Sequence, residues 1–79
     1  MPRYHFDVRV GSSVLIDEEG QDLSSPAAAS SEAEAVAMEI ALYRLPGQSE
    51  RWVSVEVRQE AGPAILEAVA TLSVRWLDR

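Results

Sequence analysis

Tyr4-His5-Phe6-Asp7-Val8-Arg9-Val10 alternates large apolar and polar side chains over seven positions. Successive side chains of a strand point to opposite faces, so this stretch predicts a half-buried strand over about residues 3–10. Tyr4, Phe6, Val8 and Val10 fall on one face; Arg3, His5, Asp7 and Arg9 fall on the other. Gly11-Ser12-Ser13 then reads as a hairpin turn, with Gly11 free to take positive φ. Val14-Leu15-Ile16 returns as a short second strand, and the acidic stretch Asp17 to Asp22 ends it, with Gly20 as its turning point.

Downstream of that turn the period changes from two to helical. Ser24 or Ser25 can cap a helix and Pro26 suits its first position. Ala27 to about Leu45 is alanine-rich, and Ala is the strongest helix former. Ala29, Ala33, Val36, Ala37, Ile40 and the stem of Arg44 make the stripe that faces the sheet, and its small first half allows close approach. Pro46-Gly47 ends the helix. Trp52 to about Gln59 is a third strand, with Val53, Val55 and Val57 on one face. Glu60-Ala61-Gly62-Pro63 is a turn.

The last segment, Ala64 to about Trp76, fits two periods. Leu66, Ala68, Ala70, Leu72, Val74 and Trp76 alternate as a strand; Ile65, Leu66, Val69, Leu72 and Trp76 also fit a helical stripe. The Gly62-Pro63 turn favours a hairpin partner for the third strand, so strand is expected. The expected fold is a single α+β domain over 1–79, in the order β-β-α-β-β. Its four-stranded, mainly antiparallel sheet would carry one helix packed on one face. The other face would hold His5, Asp7, Arg9, Ser54, Glu56, Arg58, Glu67, Val69 and Thr71 in the open, with cross-strand ion pairs.

Seventy-nine residues leave a small core, which at this size rarely supplies more than roughly 3–5 kcal/mol of net stability. With no cysteine and one histidine, disulfides, thiolate metal sites and a zinc site built on His5 alone are excluded. Self-association is the staple that remains. A formal net charge of -6, with all seven basic residues scattered arginines, argues against nucleic acid and anionic membrane surfaces as partners. No apolar run reaches the ~18–20 residues of a membrane span, and the chain starts on its first strand without a secretory pattern. The expected compartment is the cytoplasm.

Met1-Pro2-Arg3-Tyr4-His5-Phe6-Asp7, the turn Asp17-Glu18-Glu19-Gly20, the Ala/Glu-rich helix and Glu60-Ala61-Gly62 before the last strand resemble a family of small uncharacterised proteobacterial proteins, a domain of unknown function. Its members open with a Pro-Arg-Tyr-x-Phe pattern and carry an Asp-x-Glu-Gly turn. The resemblance covers nearly the whole chain and implies no activity, cofactor or catalytic residue. His5 departs from it, since an aromatic residue is frequent there.

Three groups of residues carry candidate chemistry. Asp17, Glu18, Glu19 and Asp22 gather carboxylates as a divalent-cation site would, but Gly20 is misplaced for an EF-hand loop and the twelfth-position glutamate is missing. A solvated turn before a helix N-terminus explains the same acids. His5 and Asp7 share a strand face, as a general base and its orienting acid would, yet an open sheet has no nucleophile or water-excluding pocket beside them. Trp52 and Trp76 sit near strand ends and read either as lids on a small core or as interface anchors. The last strand is long, apolar and at a sheet edge, with Glu67 the only charge from Ala64 to Val74. The expectation is a non-enzymatic interaction or regulatory domain, homodimeric through this edge or through the sheet face bearing Trp52, with a protein partner beyond itself. Trp52, Leu66, Ala68, Ala70, Leu72 and Trp76 are the expected interface, and no catalytic residue, metal or cofactor is expected. The alternative is a small-ligand or cation-binding module using the acidic turn 17–22.

Overall fold

The computed structural model describes residues 2–78. The elements run β1 (Arg3–Val10), β2 (Ser13–Leu15), β3 (Gln21–Asp22), α1 (Pro26–Arg44), β4 (Trp52–Gln59) and β5 (Ala64–Thr71). The sheet is antiparallel in the order β2-β1-β4-β5, and β3 adds to β1 beyond the end of β2. The α+β class and the helix packed on one sheet face are as the sequence predicts. The strand count is not: there are five, because Arg3 pairs with Asp22 and Tyr4 with Gln21. Leu23 N–H donating to Pro2 O at 3.1 Å closes that corner. A two-residue strand has no periodicity of its own, so its existence rests on the neighbour that receives it.

The core follows the alternation. Tyr4 and Phe6 of β1 and Val55 and Val57 of β4 are buried against Ala29, Ala33 and Ala37 of α1, while Val10 and Val53 are buried in a second cluster at the other end of the helix. Methyl side chains at those three helical positions let the helix lie low on the pleat. Ser25 caps α1, its hydroxyl accepting from Ala28 N–H at 3.1 Å, and Pro26 follows at the first helical position. At the other end Leu45 N–H donates to Ala41 O at 3.2 Å, and the Leu45 side chain is fully buried with Val10 and Val53. The sequence stripe did not include Leu45, because it lies past the last helical turn.

Two boundaries depart from expectation. The second strand occupies Ser13–Leu15, one residue earlier than Val14–Ile16, because Val10 pairs directly with Ser13 across a tighter turn. The last strand ends at Thr71, where the alternation predicts strand to about Trp76. Trp52 pairs with Thr71 and Leu72 N–H still reaches Arg51 O at 2.9 Å, but β4 begins at Trp52, so residues 73–78 have no neighbouring strand to pair with.

Candidate functional site

β5 is hydrogen-bonded along one side only. Its ladder to β4 runs from Arg58↔Ala64 to Trp52↔Thr71, and its other side is the open edge of the sheet. Leu66, Ala68 and Ala70 point to the helix side and are half-buried, packed against the core. Ile65, Glu67, Val69 and Thr71 point to the opposite face and are exposed. Above the edge, α1 presents an apolar flank. Ala37, Met38 and Leu42 line a groove with Leu66, Ala68 and Ala70, and its two depressions share Met38 and Ala70. Met38 and Leu42 are 68% and 67% exposed, unusual for large apolar side chains on the flank of a helix already packed on a sheet. The helix and sheet together form a shelf that is one strand short.

Of the expected interface residues, Leu66, Ala68 and Ala70 lie together on this shelf, and Leu72 packs at its end beside Val53 and Leu45. Trp52 does not join them. It lies on the far face, 40% exposed and opposite Thr71. Further along β4 on that face, Glu56 stands directly opposite Glu67, with Arg9 at 3.7 Å from Glu56. Trp76 lies beyond β5, not at a core-facing strand position. It is 86% exposed, and Leu77 and Val74 are 84% and 71% exposed. Arg51 fixes the departure point: its Nε donates to Leu72 O at 3.1 Å, and its Nη1 donates to Leu45 O at 3.1 Å and Gln48 O at 2.8 Å. One guanidinium thus ties the helix end, the following loop and the end of β5 together. Composition shows seven arginines but nothing that singles this one out.

The far face near β1 is not the open surface the alternation implies. His5 and Asp7 are buried there, because the stretch after β2 folds back across them. Asp17 N–H donates to Asp7 Oδ1 at 2.9 Å, and the His5 ring Nδ1 meets Asp17 O at 2.9 Å, which assigns the proton to Nδ1. Asp17 is not a solvated acid. Its Oδ2 accepts from Phe6 N–H at 3.0 Å, and its Oδ1 from Gly20 N–H at 3.0 Å and Glu19 N–H at 3.2 Å. Arg58 completes the cluster, donating from Nε to Asp7 Oδ2 at 2.7 Å and from Nη2 to Asp17 O at 3.0 Å. Gly20 is required at the turn: its φ is +71°, and an added Cβ would stand 2.8 Å from Tyr4 O.

The electrostatics follow from these bonds. Burial pushes the Asp7 carboxyl up, but the hydrogen bonds from Arg58 and from Asp17 N–H more than offset it and hold it below the ordinary value. Burial likewise raises Asp17, and the N–H groups of Gly20, Phe6 and Glu19 bring it below the usual range. The cluster is a latch that pins the loop to the sheet. Both Asp17 oxygens are committed to backbone donors, and among the described residues no group of three or more His, Asp or Glu side chains is placed to hold a metal ion. His5 meets a backbone carbonyl, and Asp7 is not its partner, so the pair is not arranged as a base and its orienting acid.

No described helix is long and apolar enough to cross a membrane. A family model described as Domain of unknown function (DUF6894) matches residues 3–71. That span takes in every strand, the helix and the latch, and stops at the last residue of β5. No curated protein and no solved structure matches the chain.

Proposed function

The chain belongs to the DUF6894 family, and we propose that it is a non-enzymatic protein-interaction module that works as a homodimer paired through the β5 edge. The observation that carries this reading is the edge itself: eight residues of strand, hydrogen-bonded on one side, under an apolar helix flank with no strand beneath it. Exposed edges of this length invite pairing, and natural sheets block them with charge, proline or a bulge on the strand. The bulge on β5 is confined to its start, where Arg58 pairs with Ala64 and Val57 with Leu66; from Leu66 to Thr71 the edge is regular, Glu67 is its single charge, and that carboxylate is held by the hydroxyl of Ser54. Antiparallel pairing about a two-fold axis is self-complementary and closes both edges at once. The far face supports pairing less well, since it carries Glu56 and Glu67 directly opposite each other.

Size-exclusion chromatography with light scattering at micromolar concentration tests the reading. The expected mass is twice the 8.7 kDa of the chain. Ile65→Lys with Val69→Lys places two like charges beside the axis at positions already 50% and 57% exposed, so the fold is kept and the dimer is lost. A wild-type species of 8.7 kDa would refute the reading.

A further inference from the structure

We infer that residues 72–78 complete the shelf of a second copy, lying as an added strand along the partner's β5 edge with Val74 and Trp76 under the partner's helix flank. This inference rests on edge pairing and names what the pairing is for. The side-chain alternation of β5 does not stop where its ladder stops: Leu66, Ala68, Ala70, Leu72, Val74 and Trp76 keep one face through both. The stretch after Thr71 is therefore patterned as a strand and runs past the end of its only neighbour, β4. It carries the most exposed apolar side chains of the described residues, while the shelf offers apolar side chains that nothing covers. Pattern and vacancy match in chemistry and in length. The body is drawn out to 55 Å along its long axis against 23 and 19 Å across, the reach a projecting segment gives.

The register follows from maximal overlap. The regular stretch from Leu66 to Val74 has Ala70 at its midpoint, so a two-fold axis perpendicular to the sheet at Ala70 pairs that stretch with itself as far as the bulge. Opposed residues of an antiparallel pair share a face, so both helices stay on one side of the joined sheet. Leu72 then stands opposite the partner's Ala68 and Val74 opposite the partner's Leu66, and Trp76 lies beyond them, level with the bulge at the start of the partner's β5. The two copies of Met38 approach each other above the small Ala70 pair, and Glu34, on the rim of the groove, offers the indole N–H an acceptor. On the far face Ser73 lies opposite the partner's Glu67, with Arg75 diagonal to it, an attractive pairing. Seating two tryptophans buries roughly 300–500 Å² beyond the bare edges, a substantial share of the ~1,200–2,000 Å² of a stable interface.

Because the chain has no cysteine, an engineered pair reports the register directly. Glu67→Cys with Ser73→Cys puts thiols on opposed positions of two copies, with Cβ atoms ~4.5–5.5 Å apart and near bonding range. Within one copy the same positions are six residues apart along extended chain and cannot meet. Mild oxidation of the full chain is expected to give a disulfide-linked dimer. In a Trp52→Phe background, Trp76 emission is expected to shift to shorter wavelength as the dimer forms, and Val74→Glu with Trp76→Glu to raise the dissociation constant at least tenfold. A dimer by light scattering with no crosslink and unshifted Trp76 emission overturns the seating of 72–78 and leaves edge pairing standing. A monomer at every concentration removes both.

Discussion

At the scale of single residues, the far-face cluster shows how much depends on partners distant in sequence. Asp7 and Asp17 are ten residues apart, yet each ties down the other's surroundings, and Arg58 reaches them from β4. The sequence makes both acids visible and permits a choice between a cation site and a solvated turn. It does not show that Asp17 accepts three backbone N–H groups, because those donors belong to no motif. The consequence is a pH dependence of known sign. Both carboxyls lie below the ordinary 3.8 in the folded chain. Their contribution is therefore complete above that value and is lost as pH falls through the lower folded one. Urea midpoints should fall steeply below about pH 4. Asp7→Asn should lower stability by about 1–3 kcal/mol at pH 7, the range for a buried group left with an imperfect partner, and should flatten the acid limb. An acid limb of unchanged slope in the variant would show that Asp7 is not what titrates.

At the scale of elements, what could be read in advance was whatever a period dictates. β1, β4 and β5 alternate because each has one face on the core, and α1 announces itself by alanine, a serine cap and proline. β3 and the back-folded stretch 16–20 carry no period, since tertiary contacts alone place them. The end of β5 departs from its pattern for the opposite reason: the alternation continues to Trp76, but a strand also needs a neighbour, and β4 supplies none beyond Trp52. What holds the elements together at that point is Arg51, whose guanidinium bonds three carbonyls, at the helix end, in the loop that follows it and just past the end of β5. Hydrogen bonds from a charged donor contribute about 1.5–3 kcal/mol in favourable cases. Arg51→Ala should lose an amount in that range and raise amide exchange selectively over residues 45–51 and at Leu72, while β1 stays protected. Uniform exchange across the sheet would mean that Arg51 has no such local office.

At the scale of the whole molecule, shape and apolar surface point the same way. A compact chain of this length has a radius of gyration of about 12 Å. This one has 14.2 Å, because residues beyond β5 project with their apolar side chains in the open. The chain places its spare apolar surface in two parts, a groove over the β5 edge and a segment beyond it whose alternation continues that of β5. If the native state is the dimer, folding and association are one equilibrium, and mass action stabilises the folded side as concentration rises. Each tenfold increase adds about 1.4 kcal/mol per mole of dimer. Since 1 kcal/mol moves the midpoint of a domain of this size by ~4–8 °C, and a dimer doubles the unfolding entropy, Tm should rise by roughly 3–6 °C per decade. The rise should persist over two decades of protein concentration in the wild type and vanish in the Ile65→Lys, Val69→Lys variant, whose Tm should be flat. A flat wild-type curve would mean that the monomer is stable with its edge open, and that the apolar surface on β5 and beyond it is kept for a different chain.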